Sequence, residues 1–198
     1  MRGLIRRSAV AAGVVVVVLG PAAGAAASAQ PPAHHIFWAN ILTGTIGEAN
    51  LDGTGVNQDF ITGANQPAGV AVNARHIYWA NNGTIAEAGL NGTGVNLSFI
   101  TGASDTAGVA VTARHIYWAN RTGAVGDMIG RANLDGTGVN QDFITVGGVP
   151  VGVVVTARHI YWANFLTGTI GEANLDGTGV NQNFITGAAG PIGVAISP

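Results

Sequence analysis

The sequence contains no cysteine and no lysine, and only 9% of its 198 residues are charged. Without cysteine the chain can form no disulfide, no thiolate nucleophile and no zinc–thiolate site. Its cations are all arginines and no stretch gathers them into a basic stripe, which argues against nucleic acid and anionic membranes as partners. No segment has the length and the 3.6-residue hydrophobic period of an amphipathic helix. The chain is instead rich in glycine, with 31 residues, and in hydrophobic residues, at 47%.

The first 29 residues have the composition of a secretory signal peptide. A basic start with Arg2, Arg6 and Arg7 precedes the apolar segment 9–20, and the small residues 27–29 form a cleavage site. Twin-arginine export and the general secretory route both remain open, and an uncleaved membrane anchor is the other alternative. We expect residues 1–29 to be removed and residues 30–198 to form the folded domain of a bacterial protein that is secreted or extracytoplasmic, in the cell envelope. Five arginines against ten Asp plus Glu then give this domain a formal charge of −5. Once the signal peptide has been removed, we expect no membrane insertion.

A five-residue segment, Ile-(Tyr/Phe)-Trp-Ala-Asn, recurs four times and contains every tryptophan of the chain. The tryptophans are 41, 39 and 44 residues apart, at Trp38, Trp79, Trp118 and Trp162. A period of about 40 residues is typical of propellers and other repeat arrays. Each unit, starting near residues 35, 76, 115 and 159, contains short alternating or apolar runs separated by turns rich in Gly, Asn and Asp. Such runs predict β-strands.

Four strands in each of four units predict an all-β fold, a β-propeller of about four four-stranded blades. The repeated tryptophans are expected to pack between the blades and to have a structural role. The first unit starts at its Trp strand, whereas Gly193–Ile196 repeats the apolar strand that precedes the later Trp strands. We therefore expect this C-terminal strand to complete the first blade and to close the ring without an exposed edge. An open arc that dimerises through its edges is the alternative.

The motifs Ile-Tyr-Trp-Ala-Asn and Ile-Gly-Glu-Ala-Asn-Leu-Asp-Gly-Thr-Gly-Val together resemble the YWTD repeats of the low-density lipoprotein receptor family. The resemblance covers residues 36–196 and implies a β-propeller that serves as an extracellular protein-binding or structural module. This chain departs from the family in two ways, because the family usually closes with six blades and has Asp where this chain has Asn40, Asn81, Asn120 and Asn164. Propeller lyases similar to virginiamycin B lyase share the architecture and imply an enzymatic alternative.

No set of residues has the pattern of a catalytic or metal site, so we predict no catalytic residues, no metal and no cofactor. Four histidines (35, 76, 115 and 159) occupy one slot before each Trp strand. Equivalent residues spread around a ring cannot converge on one metal unless they line its axis. The segment 48–59 has oxygen ligands at the positions of an EF-hand calcium loop, but these ligands change between units. Its Asn/Asp-Gly pair is more simply a hairpin turn that needs positive φ.

Differences between the units collect in two loops, one after the Trp strand and one before the apolar Gly-Val strand. A four-stranded meander places both loops on the same face of the disc. Because a binding site must break the repeat symmetry, we place it on that face. The candidate ligand-binding residues there are the titratable groups without counterparts in the other units, Asp105, Arg121 and Asp127, with Phe165 and Met128 as their apolar partners.

These features predict an exported, non-enzymatic propeller that binds a protein or a cell-envelope glycan through the variable loops. Two alternatives remain. One is a propeller lyase or hydrolase, which needs a histidine and a carboxylate close to the axis. The other is a structural array in which near-identical units assemble edge to edge, with a homodimer as the smallest product if one chain does not close the ring alone.

Overall fold

The computed structural model describes residues 15–16, 34–121 and 127–197, and every regular element among them is a β-strand. The first sheet contains β2 (His35–Asn40), β3 (Thr45–Asn50) and β4 (Asn57–Ile61). The second contains β5 (Pro67–Val72), β6 (His76–Asn81), β7 (Ile85–Gly89) and β8 (Asn96–Ile100). The third contains β9 (Thr106–Val111), β10 (His115–Asn120), β11 (Asp127–Asn133) and β12 (Asn140–Val146). The fourth contains β13 (Pro150–Val155), β14 (His159–Asn164), β15 (Thr169–Asn174) and β16 (Asn181–Ile185).

The strands β2–β4, β5–β8, β9–β12 and β13–β16 form four antiparallel meanders, which are the four blades of a β-propeller. The inner strand of each later blade comes from the end of the preceding sequence unit. The strands β2, β6, β10 and β14 are the Trp strands, and β5, β9 and β13 are the inner strands before them. The hairpin between the last two strands of each blade needs positive φ, and glycine provides it: Gly53, Gly92, Gly136 and Gly177 have φ of 74–88°. The all-β propeller predicted from the repeat is confirmed.

Each blade packs one face onto the opposite face of the next blade. Successive residues of a strand point to opposite faces, so Tyr78 and Trp79 lie on different sides of the second blade. We call these sides the Tyr face and the Trp face; Phe37 replaces the tyrosine in the first blade. The Tyr face of blade 2 forms one cluster with Trp118, the Tyr face of blade 3 forms one with Trp162, and Phe37 forms one with Trp79. These three tryptophans are completely buried.

A glycine in each inner strand allows the blades to approach closely around the axis. A Cβ built on Gly69 is 2.6 Å from the Ala107 carbonyl oxygen and 2.8 Å from the Val109 amide nitrogen. Gly108 faces Val151 and Val153 of the following inner strand in the same way. Because only glycine lacks the atom that would collide with this backbone, the inner strands form a tight row.

The structure differs from the sequence prediction in how the first blade ends. Among the described residues β2 has β3 as its only strand partner, and residues 193–196 form no strand. The segment that was expected to complete this blade lies beside β13 instead, where a Cβ on Gly152 is 2.5 Å from the Ile192 carbonyl oxygen and 3.2 Å from the Gly193 Cα. Residues 193–196 thus continue the row of inner strands past β13 without pairing with β2, and the four blades form an open arc.

The predicted signal peptide lies outside the described residues except for β1 (Val15–Val16), which pairs in parallel with Val70–Ala71 of β5. Its cleavage stays a prediction. None of the described segments is a helix with the length and apolar character needed to cross a membrane.

Candidate functional site

The two variable loops of each unit lie side by side on one face of the arc, as the sequence predicts. Backbone hydrogen bonds join the two loops at blades 1, 3 and 4. They are Ala64 N to Gly44 O at 2.9 Å, Arg121 N to Ser104 O at 3.1 Å, and Phe165 N to Val149 O at 3.1 Å. We call this side, formed by residues 41–44, 62–66, 82–84, 101–105, 121, 147–149, 165–168 and 186–190, the loop face. The hairpins and the Ala-Arg-His turns lie on the opposite side, the turn face.

In blades 2 and 3 the asparagine at the end of the Trp strand anchors the loop face to the sheet. Asn120 Nδ2 donates to the carbonyl oxygen of Gln141 in β12 at 3.2 Å, and Asn120 Oδ1 accepts a bond from the Ser104 amide at 3.2 Å. Asn81 makes the equivalent pair, donating to Leu97 O at 3.1 Å and accepting from Asn65 N at 2.7 Å. An ionised aspartate accepts hydrogen bonds but cannot donate. The asparagines that replace the aspartate of the YWTD motif therefore make interstrand bonds of their own.

Two of the predicted ligand-binding residues, Asp105 and Arg121, contact each other. Arg121 Nη2 donates to Asp105 Oδ1 at 2.9 Å and Arg121 Nε donates to the Asp105 carbonyl oxygen at 3.1 Å. The Asp105 side chain is 60% exposed, and an ion pair at such a surface contributes at most about 1 kcal/mol. The pair therefore joins neighbouring loops but adds little to the free energy of unfolding. The charges of Asp105 and Arg121 neutralise each other at the surface.

Asp127 stabilises the strained loop that contains Val149. Its Oδ2 accepts a hydrogen bond from the Val149 amide at 2.6 Å, and Val149 has a φ of 40°, which is unfavourable for a β-branched residue. Met128, half-buried next to it, pairs with Asn120 and Thr145 in the β-ladder. The position of these two side chains gives them a part in shaping the loop face.

Large apolar side chains point into solvent from the loop face. Leu42 is 97% exposed, Leu166 is 70% exposed and Phe165 is 42% exposed. Phe165 is among the residues predicted from the sequence, whereas Leu42 and Leu166 are not, although both lie in loops that end in glycine, at positions 44 and 168. The leucines occur in the first and the last blade, at the two ends of the arc.

The acidic residues of the turn face are engaged within their own hairpins. Asp135 Oδ1 accepts bonds from both the amide nitrogen and the hydroxyl of Thr137, at 2.9 and 2.6 Å. These bonds from Thr137 hold the pKa of Asp135 below its usual value. Asp52 and Asp176 make the same bonds to Thr54 and Thr178. The segment that resembles a calcium loop is thus a set of side-chain-capped turns, and the described residues contain no group of three or more candidate metal ligands.

The third blade departs from the repeat at one position, which lies on the strand before the hairpin and is occupied by Glu48 in the first blade. Blades 1, 2 and 4 place a glutamate there, and in the first blade Glu48 Oε2 lies 3.1 Å from His35 Nδ1. Blade 3 has Arg131, whose guanidinium carbon lies 4.1 Å from the centre of the Phe143 ring. Arg131 and His115 line a cleft of about 470 Å³ between blades 3 and 4. Burial, then the positive charges of Arg131 and Arg114, lower the pKa of His115.

Arg131→Glu is expected to raise the pKa of His115, because it replaces a neighbouring positive charge with a negative one. The histidine titration followed by NMR measures the shift directly. Arg75→Glu, at the equivalent of Arg114 in the second blade, is the control and should leave the His115 titration unchanged. An unaltered His115 pKa in Arg131→Glu would contradict the electrostatic role of this side chain.

Comparison with known proteins gives likeness at the level of the fold. No protein-family profile and no curated protein sequence matches the chain. Among solved structures, virginiamycin B lyase from Staphylococcus aureus is similar with a TM-score of 0.62 and 14% identity over 81% of this chain, which spans 56% of the lyase chain. The nidogen/laminin complex gives a TM-score of 0.53 and 18% identity over 71% of this chain and 72% of that one. The computationally designed Ika4 protein gives a TM-score of 0.59 and 9% identity over 85% of this chain and 94% of the Ika4 chain. These likenesses show a β-propeller fold.

Proposed function

We propose that this chain is an exported, non-enzymatic propeller that binds a protein ligand through the loop face. The observation that carries the proposal is the exposure of Leu42, Phe165 and Leu166 on that face. Burial of exposed apolar side chains against a partner is favourable because it removes their surface from water, and Phe165 and Leu166 are adjacent on blade 4. The solved complex of nidogen with laminin provides one propeller relative in a protein–protein assembly.

The chemistry of the loop face favours a protein over a glycan. The most exposed side chains are aliphatic, and they suit a partner that offers apolar side chains in return. The only ion pair between loops in the described part of the face, Asp105–Arg121, is already internally compensated. The formal charge of −5 after removal of the expected signal peptide, from five arginines and ten acidic residues, disfavours nucleic acid.

The loop face is also held in shape before any ligand arrives. The asparagine bonds to the outer strands, the contact of Asp127 with Val149 and the bonds between loops fix the backbone that bears the apolar side chains. A site that is already ordered pays less conformational entropy when it binds. The arrangement therefore suits a stable receptor surface.

The double substitution Leu42→Ser and Leu166→Ser is expected to reduce capture of the protein ligand at least tenfold. Both side chains are exposed, so the free energy of unfolding should change by no more than about 0.5 kcal/mol. The measurement is a pull-down from the envelope fraction of the producing cells with the full chain as bait, quantified for the bound protein and followed by titration with that protein once isolated.

The matched control is Leu51→Ser with Val56→Ser on the turn face, since these residues are 57% and 56% exposed. This variant should capture the ligand as well as the parent chain. Equal loss in both variants would contradict a site on the loop face, and capture of glycan without protein would contradict the choice of ligand.

The lyase alternative is not favoured by the site geometry. A histidine lies close to a carboxylate in the first and the fourth blade, with 3.1 Å between His35 and Glu48 and 3.9 Å between His159 and Glu172. Both pairs occupy the repeated slot of the blade, and a repeated contact is explained by the scaffold. A metal-dependent activity screen on the purified chain tests this alternative directly.

A further inference from the structure

The same interface between blades occurs three times in this chain. In each case a Tyr face, or the Phe37 face of blade 1, packs onto the Trp face of the next blade, and the tryptophan becomes completely buried. The outer strand contributes an isoleucine to each interface: Ile61, Ile100 and Ile144 are 1–2% exposed. These three copies define what a formed interface looks like in this protein.

Both halves of a fourth such interface are present and exposed. The Trp face of blade 1 leaves Trp38 half-buried, whereas its three equivalents are completely buried. The Tyr face of blade 4 leaves Ile185 51% exposed and Phe184 44% exposed, whereas the equivalent isoleucines are buried. An apolar surface of this kind at each end of the arc, complementary in residue type, predicts that the two are covered by one another.

The backbone shows the same complementarity. The inner strands β5, β9 and β13 pair with the Trp strand of their blade, for example through Val70↔Trp79 and Val72↔Ile77. In blade 1 the inner edge of β2 has no strand beside it among the described residues. Gly193–Ile196 has the sequence of an inner strand, and the same register would pair Val194 with Trp38 and Ile196 with Ile36.

We propose that a second copy of this chain supplies the missing strand and the missing face. Residues 193–196 of each copy add to β2 of the other, and the Tyr face of blade 4 packs onto the Trp38 face of the other copy. The contact joins the front of one arc to the back of the next, and two such contacts close a ring of eight blades. A contact of this type gives a closed ring when the rotation between copies closes and an open fibre when it does not.

The geometry favours a second copy over closure within one chain. The segment around Gly193 continues the inner row past β13 at the spacing seen between earlier inner strands, yet among the described residues no strand from it pairs with β2. The four blades also superpose on 56% of the virginiamycin B lyase chain. An arc with that curvature covers about half of a ring, and a second arc is needed to complete it.

We call each contact between blade 4 of one copy and blade 1 of the other a joint. Each joint also brings together the apolar residues of the loop face. Leu42 of blade 1 and Phe165 and Leu166 of blade 4 lie at opposite ends of one arc and become neighbours across each joint. This consequence rests on the proposed function, whereas the joint itself rests only on the exposed blade faces.

Light scattering of the full chain after size exclusion tests the proposal without any ligand. The expected result is a mass of two chains for the parent. Ile185→Arg places a charge in the exposed half-interface, and Val194→Pro removes a backbone N–H from the added strand. Both are expected to reduce the mass to that of one chain. Leu51→Arg, at a residue 57% exposed on the turn face, should keep two chains.

Mixing two damaged variants provides a second measurement. Ile185→Arg alters the exposed face of blade 4 and Trp38→Arg alters the exposed face of blade 1. A mixture of the two variants therefore retains one joint between unaltered faces, and it should form two-chain particles that neither variant forms alone. A one-chain mass for the parent with a buried, quencher-protected Trp38 would overturn the proposal in favour of closure within the chain. A polymer of undefined length, or two chains retained in both Ile185→Arg and Val194→Pro, would also overturn it.

Discussion

Trp118→Ala is expected to lower the free energy of unfolding by about 3–5 kcal/mol, the range for removal of a buried aromatic side chain. Trp118 is completely buried between blades 2 and 3. Its ring lies against Gly130, which is its partner in the ladder between β10 and β11 and has no Cβ to displace it. Its Nε1 donates to Gln141 Oε1 at 3.1 Å. The substitution therefore leaves a cavity and removes one of the two hydrogen bonds that Gln141 Oε1 accepts, the other coming from Asn120 Nδ2 at 3.0 Å.

Trp38→Ala is the matched comparison because it removes the same side chain from the same repeat position. Trp38 is only half-buried in a single chain, so the loss should be clearly smaller at protein concentrations where the particle is one chain. Urea unfolding followed by circular dichroism measures both losses. Equal losses at Trp38 and Trp118 would contradict the open arc, because they would mean that the first blade is packed as tightly as the third.

The strands and their order could be predicted from the sequence because each unit repeats the same local signals. The turn glycines, the alternation around Glu87 and the aromatic run at Tyr78 depend only on residues close in sequence. Four occurrences of each signal also averaged out the exceptions. Local chemistry of this kind specifies the hairpins without knowledge of the rest of the chain.

The open ring could not be predicted by counting strands. Curvature depends on the angle between neighbouring blades, and the close backbone contacts between inner strands, such as those at Gly108, join residues that are far apart in sequence. The sequence shows that a strand is missing from the first unit and present at the other end. It does not show whether four blades turn far enough for the two to meet.

The placement of the variable loops was predictable from the sequence, whereas the contacts between their residues were not. The meander places the variable loops on one face, and the structure confirms that placement. The contact between Asp105 and Arg121 spans 16 residues and that between Asp127 and Val149 spans 22, with no spacing rule to reveal either. Leu42 was overlooked because a leucine carries no chemical signal until its exposure is known.

Gly108→Ala is expected to destabilise the fold by at least about 1–3 kcal/mol, the usual range for overpacking. A Cβ at this position collides with the Val151 carbonyl oxygen and lies 2.7 Å from the Val153 amide nitrogen. Both atoms belong to the backbone of the next inner strand, so no side chain can rotate away and the strands must separate. Gly147→Ala is the control, because nothing lies within 4 Å of its added Cβ, and its effect should stay within about 0.5 kcal/mol.

The same pair of variants tests what sets the curvature. If the inner row fixes the angle between blades, separating β9 from β13 changes that angle and moves the exposed faces of blades 1 and 4 out of alignment. Gly108→Ala should then lose the two-chain mass under conditions where circular dichroism still shows folded sheets, while Gly147→Ala keeps it. A Gly108→Ala chain with the stability and the mass of the control would show that the blades do not depend on glycine for their approach, and the argument for the arc would lose its physical basis.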